Sequence, residues 1–334
     1  MSAAISQTQP GLIEATAPPE SRGLLRDEVR LLVTDRAGRS HTHAAFYDFS
    51  KFLHGGDLVV INDSATVPAA MPAHRENGAP IDLHVSTMID ERIWITEPRG
   101  TVLCGEELQL PHGGSAVTIA PVEPERPRLW YTWFQLPQPM FDYLAATGEP
   151  IRYRYMKQRF PLRDYQTMFA REPGSSEMPS AARPFTPRVA AALNAKGIEI
   201  AALTLHCGVA SFEAPERPGT ERFIVPHATA DRVNAARARG GRVVAVGTTV
   251  VRALESAIEG DKIVAASGWT GLVIDEHHHI RGADAMLTGF HDANATHVSI
   301  LRAFLDRALL DSAYDEAADE QYRYHEFGDV HLIL

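Results

Sequence analysis

Two histidines follow apolar runs that predict buried strands. His206 comes directly after the apolar run 198–205, and His291 comes shortly after the run 285–287. Open α/β sheets bind their ligands at the carboxyl ends of the strands. Both imidazoles are candidates for proton transfer, because the charge of histidine changes near neutral pH. The alternative carries equal weight: each histidine is a hydrogen-bonded core residue that orients a loop.

A second candidate element is the turn of Gly247, Thr248 and Thr249. It follows a predicted strand at 242–246 and begins a predicted helix. The free N–H groups of a helix start, together with the helix dipole, suit an anion such as a carboxylate or phosphate. On this pattern alone a simple capped turn is the plainer interpretation.

The segment 152–165 interleaves five basic residues with four aromatic ones. One interpretation is a solvated linker whose long side chains cover apolar surface. The other is a surface that contacts the backbone of a nucleic acid or another anion. The sequence leaves the two equally open.

The overall composition limits the functions that are possible. There are 32 Lys and Arg against 42 Asp and Glu, a formal net charge of −10, so a nucleic-acid partner needs a local basic patch. The two cysteines offer no disulfide or metal spacing, which fits a reducing cytosol, and we expect a cytoplasmic protein. The adjacent histidines 277–279 on a predicted turn cannot face one metal together, so no metal is expected. No apolar run reaches the length that spans a membrane.

The order of the elements predicts an α/β protein with an inserted β domain. Residues 1–22 are polar and rich in Pro, and indicate a disordered leader. From 65 to 150, short β-rich runs alternate with Pro and Gly, which is typical of a small barrel or sandwich. The segments 23–64 and 151–334 then form the main α/β domain. In the second segment, Thr186 is a predicted N-cap for a helix to residue 196, and a strand is predicted near 272–274.

Taken together, the ordered motifs resemble the family of S-adenosylmethionine:tRNA ribosyltransferase-isomerases of the queuosine pathway (QueA), over nearly the whole chain from about Arg26. The motifs that carry the resemblance include Asn62-Asp63, Thr204-Leu205-His206 with Gly208 and Phe212, Gly247-Thr248-Thr249 with Arg252, Ser267-Gly268-Trp269-Thr270, Phe290-His291 and Gly328-Asp329. Their joint order and spacing are specific, although no single motif is.

The resemblance implies a fold, a reaction and a site. The fold is an α/β sandwich with an inserted β-barrel. The reaction moves the ribosyl part of S-adenosylmethionine onto the aminomethyl group of a 7-deazaguanine in tRNA and isomerises it, while adenine and methionine leave; S-adenosylmethionine is thus a substrate. We expect proton transfer from His206, His291, Asp63 and Glu172. We expect S-adenosylmethionine to contact Phe185, Gly208, Phe212, Gly247, Thr248, Thr249, Arg252 and Phe290, with the aromatic residues as a wall for adenine.

The chain departs from the family pattern inside its motifs. Ala65 and Ala70 stand where the family has arginines, and Pro184 stands where it has a histidine. Arginine is a usual phosphate contact, so these losses favour a small-molecule acceptor over tRNA, whereas the basic segment 152–163 favours tRNA. The sequence leaves three functions open: the family reaction on tRNA, the same chemistry on a small nucleoside or other acceptor, and a non-catalytic binding protein.

Overall fold

A computed structural model describes residues 11–209, 219–291 and 296–334. Its strands, numbered along the chain, are β1 Ile13–Glu14, β2 Arg30–Asp35, β3 Ser40–Ala45, β4 Leu58–Asn62, β5 Ser64–Thr66, β6 Ala70–Arg75, β7 Pro80–Met88, β8 Ile93–Pro98, β9 Glu107–Gln109, β10 Ser115–Pro121, β11 Trp130–Gln135, β12 Glu172–Ser175, β13 Glu199–Leu205, β14 Glu221–Val225, β15 Val243–Val246, β16 Ile258–Glu259, β17 Lys262–Ile263, β18 Ala266–Thr270, β19 Ala285–Gly289, β20 Arg323–Tyr324 and β21 Val330–Ile333. The α-helices are α1 Met140–Thr147, α2 Pro187–Ala195, α3 His227–Ala238, α4 Thr248–Glu255, α5 Thr296–Phe304 and α6 Arg307–Asp319, and 3-10 helices cover Pro19–Arg22, Arg26–Glu28, Phe46–Phe52, Pro111–Gly113, Leu162–Tyr165 and Ser180–Ala182.

The main domain is built on a nine-stranded sheet in the order β18-β14-β13-β4-β15-β19-β21-β2-β3. The four adjacent strands β13, β4, β15 and β19 are mutually parallel, so their carboxyl ends meet at one edge. The chain passes from β4 outward to β13 and then returns past β4 to β15. Such a reversal opens a crevice at the carboxyl edge, where ligands bind in open α/β sheets.

Apolar clusters cover both faces of this sheet. The strands β4 and β15 are buried along their full length, as their continuous Val and Ile runs predict. On one face α2 packs over the sheet. It begins as predicted, with the Thr186 hydroxyl accepting from the Val189 N–H and Pro187 at the first helical position. On the other face α3 to α6 cover it.

The inserted domain is a closed barrel in the order β10-β11-β8-β7-β6-β9, with its own apolar core. The predicted α/β fold with an inserted β-barrel is therefore confirmed. The barrel joins the main domain through a neck, where the backbones of Ala70 and Glu149 exchange two hydrogen bonds of 2.8 Å.

Two expectations for local structure are wrong. Residues 13–22, predicted to belong to a disordered leader, are ordered: β1 pairs in parallel with β20, and Ala15 is fully buried. The partner strand lies at the far end of the chain, so composition alone could not show this pairing. The strand expected near 272–274 does not form at those residues. The nearest strand, β18, ends at Thr270. The Leu272 carbonyl, beyond its end, accepts a hydrogen bond from Arg252 Nε at 3.1 Å.

No α-helix in the described ranges has the length and apolar character needed to cross a membrane.

Candidate functional site

His206 lies at the carboxyl end of β13 and is held by a chain of hydroxyl groups. Its Nδ1 is 2.8 Å from Ser64 Oγ, which is 2.6 Å from Ser175 Oγ. Ser175 Oγ in turn accepts from the Cys207 N–H at 2.9 Å. Burial, helped by the nearby charge of Arg222, lowers the pKa of His206 to about 4. The imidazole is therefore neutral at physiological pH. Its Nδ1 is engaged by the Ser64 hydroxyl, whereas its Nε2 is not part of this hydroxyl network.

Asn62 joins the ends of two parallel strands. Its side chain is fully buried, its Nδ2 donates to the Leu205 carbonyl at 2.7 Å, and its Oδ1 accepts from the Leu205 N–H at 3.0 Å. The same Oδ1 accepts from the Ser64 N–H, and Nδ2 lies 3.4 Å from Thr249 Oγ1. One amide therefore fixes the positions of β4, β13 and the start of α4, and with them the residue before His206.

Two carboxyl groups flank this network. Asp63 Oδ1 accepts from the Thr204 hydroxyl at 2.7 Å, and the Asp63 carbonyl accepts from the Glu172 N–H at 3.2 Å. Burial raises the pKa of Asp63, and the negative charge of Glu172 adds to the shift. Glu172 is exposed at the start of β12, beside Ser64 in the parallel pair of β12 with β5. Asp63 follows β4 directly, and Glu172 pairs with Ser64, whose hydroxyl contacts His206, so both residues lie next to this network.

The close packing of the His206 ring against Gly174 leaves no room for a side chain at residue 174. A Cβ added to Gly174 would lie 2.5 Å from His206 Nδ1, closer than atoms approach without displacement. Any side chain there would push the imidazole away from Ser64.

The barrel is fastened to the main domain beside this site. Ser176 Oγ donates to the carbonyls of Val85 and Ser86 at 2.7 and 2.8 Å, and the Val209 N–H donates to Ser86 Oγ at 2.8 Å. Gly208 lies in the same contact, where an added Cβ would lie 2.9 Å from Ser86 Oγ, and its N–H donates to Glu221 at 3.0 Å. The Gly208 N–H is thus engaged by Glu221 and is not a donor for a ligand.

The turn before α4 has the predicted geometry. Gly247 takes a φ of 92°, a conformation that favours glycine, and its N–H donates to the Leu287 carbonyl at 2.8 Å. Thr248 and Thr249 form the first turn of α4, whose N–H groups have no acceptor within the helix. This turn lies at the same edge as His206, with β4 between β15 and β13.

His291 lies farther along the same edge. It follows β19, with its Nε2 3.1 Å from Thr288 Oγ1. Since β13 and β19 are separated by β4 and β15, three strand spacings place the backbones of these two strands about 14 Å apart.

The predicted aromatic wall is not formed by Phe185 and Phe290. Phe185 is fully buried under α2, with ring centroids at 5.0 Å from Phe46 and 5.6 Å from Phe49. Phe290 is fully buried on the opposite face and stacks on His331 at 5.5 Å. A fully buried ring cannot contact a ligand, so both are core residues. Phe212, the third predicted ring, lies outside the described residues.

Arg252 also has a different role from the one predicted. It is 5% exposed and forms an ion pair with Glu221. Its Nε donates to the Leu272 carbonyl at 3.1 Å, and its Nη2 donates to the Thr270 carbonyl at 3.1 Å. These contacts join α4 to β14 and to the end of β18, so the guanidinium stabilises the sheet edge and is not available to a ligand.

Sequence reasoning did not assign roles to Asn62, Ser64 or Ser175. Small polar residues are common in loops, and nothing local distinguishes a hydroxyl that contacts an imidazole from one in solvent. The available signal was position: each lies at or next to the end of a short strand near a predicted site residue.

In the segment 152–165, most aromatic side chains point into the protein and the basic side chains point to solvent. Tyr153, Met156, Phe160 and Tyr165 are buried in one apolar cluster. The five basic residues of the segment are exposed, namely Arg152, Arg154, Lys157, Arg159 and Arg163. Arg159 pairs with Glu149, and Arg163 lies 4.0 Å from Asp164, while the other three have no ion pair in the described part of the chain. The segment therefore presents a positive strip to solvent on an aromatic base.

The fold is that of an α/β protein with an inserted barrel, and the polar residues of the candidate site lie at the carboxyl edge of its sheet. The family model described as "Queuosine biosynthesis protein" matches residues 8–333, and the chain belongs to this family. It is 37% identical to the S-adenosylmethionine:tRNA ribosyltransferase-isomerase of Moorella thermoacetica, over 92% of this chain and 94% of that one. The enzyme of the same name from Thermus thermophilus is 35% identical over 92% and 93%. The crystal structure of the S-adenosylmethionine tRNA ribosyltransferase from Thermotoga maritima matches with a TM-score of 0.53 and 29% identity, over 92% of this chain and 93% of that one.

Proposed function

We propose that this protein transfers and isomerises the ribosyl group of S-adenosylmethionine onto tRNA, with release of adenine and methionine. The observation that carries the proposal is the match to enzymes of that name over 92% of the chain. The site geometry supports it, because a neutral imidazole and a carboxyl group of raised pKa lie at the carboxyl edge of neighbouring strands, with Glu172 beside Ser64.

The reaction needs a base to remove a proton next to the positively charged sulfonium. We assign this role to His206. For Nε2 to accept a proton from the substrate, Nδ1 must carry the ring proton and donate a hydrogen bond to Ser64 Oγ. The Ser64 hydroxyl then donates a hydrogen bond to Ser175 Oγ at 2.6 Å. The hydroxyl chain can hold this tautomer and the orientation of the ring together.

The departing adenine needs a proton donor or a hydrogen-bond donor. Asp63 fits this role, because its raised pKa favours the protonated carboxyl more than in an ordinary aspartate. Glu172, exposed beside it, provides a carboxylate for the sulfonium or the attacking amine. We assign His291, which follows a strand three positions away from β13 in the sheet, to substrate binding.

The methionine end of S-adenosylmethionine carries a carboxylate. We place it at Gly247, Thr248 and Thr249, where the first-turn N–H groups and the dipole of α4 favour an anion. Thr249 Oγ1 lies 3.4 Å from Asn62 Nδ2, so this subsite shares a side chain with the His206 network.

The tRNA acceptor is supported by the positive strip of residues 152–163. The net charge of −10 opposes general binding of RNA, so a local strip is required. Five exposed cations on a packed aromatic base supply it. The replacement of arginine by Ala65 and Ala70 reduces the affinity without removing this strip.

The proposal is tested with S-adenosylmethionine and tRNA that carries the aminomethyl-deazaguanine. Release of adenine and methionine is followed by liquid chromatography, and epoxyqueuosine is measured by mass spectrometry of the digested tRNA. We expect turnover by the wild type, at least a hundredfold loss in His206→Gln, and little change in His74→Gln, a matched change at an exposed barrel histidine. Absence of both products would refute the proposed function. Adenine release that needs no tRNA would show a small-molecule acceptor or hydrolysis instead.

A further inference from the structure

Three side chains form a row across neighbouring strands beside the site. The His206 N–H donates to the Arg222 carbonyl at 3.0 Å, and Arg222 on β14 is paired with Trp269 on β18. Directly opposed residues of antiparallel strands have their side chains on the same face of the sheet. His206, Arg222 and Trp269 therefore share one face, and the row extends about 10 Å outward from His206.

The two outer members of the row are exposed. Trp269 is 45% exposed, whereas Trp94 and Trp130 are 2% and 6% exposed. Arg222 is exposed, and its guanidinium has no hydrogen bond or ion pair within the parts of the chain that the structure describes. By contrast, its neighbour Glu221 is fully engaged with Arg252 and the Gly208 N–H.

We propose that Arg222 and Trp269 bind one nucleotide of the RNA acceptor, next to the reacting base. The base stacks on the indole of Trp269, and the phosphate pairs with the guanidinium of Arg222. This inference rests on the proposed tRNA acceptor and names the surface that recognises it.

The chemistry of the row fits a nucleotide better than S-adenosylmethionine. An aromatic face and an unpaired guanidinium, one strand apart, match a base and its phosphate. S-adenosylmethionine has no phosphate, and the charge of Arg222 would repel its sulfonium. Its carboxylate has a separate place at the start of α4.

The test measures RNA binding directly, so that it does not depend on turnover. Fluorescence anisotropy is used with the unmodified anticodon stem-loop of the tRNA, over a range of salt concentrations. We expect Trp269→Ala to weaken binding roughly 5- to 150-fold, the loss that one base–aromatic stack causes, and Trp269→Phe to retain most of the affinity. Arg222→Ala should weaken binding and lower the slope of log affinity against log salt by about 1.

Val273→Ala is the matched control, because Val273 is also 45% exposed but is not in the row. The KM values for tRNA and for S-adenosylmethionine are measured on the same variants. The inference requires the first to rise and the second to stay constant. It is overturned if Trp269→Ala and Arg222→Ala bind the stem-loop as the wild type does, or if only the KM for S-adenosylmethionine rises. If the wild type is inactive but its stem-loop binding still depends on both residues, the proposed reaction is refuted and the binding of a nucleotide by Arg222 and Trp269 is supported.

Discussion

Replacing His206 should change how the stability of the protein depends on pH. The folded-state pKa of His206 is about 4, below the usual value of 6.5, because the ring is buried and lies near the charge of Arg222. The folded protein therefore disfavours the protonated ring. The stability associated with the neutral ring is complete above pH 6.5 and is lost as the pH falls from 6.5 towards 4.

The size of the effect follows from that shift. At pH 5 the loss is at most about 2 kcal/mol, and solvent contact of the partly exposed ring reduces it to about 1 kcal/mol. His206→Gln cannot titrate, so it should lose about 1–2 kcal/mol less than the wild type between pH 7 and pH 5. His331, whose pKa burial lowers to about 3, is present in both proteins and cancels in the difference.

The assay is urea unfolding followed by circular dichroism at pH 7, 6 and 5, with the difference between the two proteins taken at each pH. Arg222→Gln is an informative intermediate. It removes the smaller cause of the shift and leaves burial, so its pH dependence should lie between the other two but nearer the wild type. Equal pH dependence in the wild type and His206→Gln would refute the assignment of a buried, neutral imidazole.

Three further changes have expected outcomes. Arg252→Ala should lower the free energy of unfolding by about 3–5 kcal/mol, because Glu221 is left without its partner; urea unfolding measures this. Gly174→Ala should reduce the rate of adenine release at least tenfold, because the added Cβ displaces the imidazole of His206. Gly219→Ala is the control, since nothing lies within 4 Å of its added Cβ. Equal rates in the two variants would contradict the close approach of Gly174 to His206. Ala65→Arg should strengthen tRNA binding roughly tenfold or more, since a charge-assisted hydrogen bond contributes about 1.5–3 kcal/mol. Unchanged affinity in a filter-binding assay would show that an arginine at this position does not contact the tRNA.

The sequence predicted the elements that local pattern determines. The continuous apolar runs of β4 and β13 indicate buried strands wherever they lie, and the Pro- and Gly-separated runs from 65 to 150 indicate a barrel. Because parallel strands end at a common edge, the position of His206 and Asp63 at the ends of neighbouring strands also followed.

The failures share one physical reason, which is that burial depends on partners distant in sequence. Phe185 and Phe290 lie beside site motifs, yet each packs into a core on a different face of the sheet. Arg252 has the type and position of an anion contact, but it forms an ion pair with Glu221 on β14. Neither partner is apparent without the fold.

The neck at Ala70 and Glu149 has a consequence for synthesis on the ribosome. The entry and exit of the barrel are hydrogen-bonded to each other, so the barrel can close as a unit once Glu149 has emerged. Its strands pair mainly with near neighbours in the chain, whereas β4 must wait for β13, which is made only after the barrel. The nascent chain should therefore carry a finished barrel while the strand that ends in Asn62 is still unpaired, and the central sheet should form last, around a domain already in place.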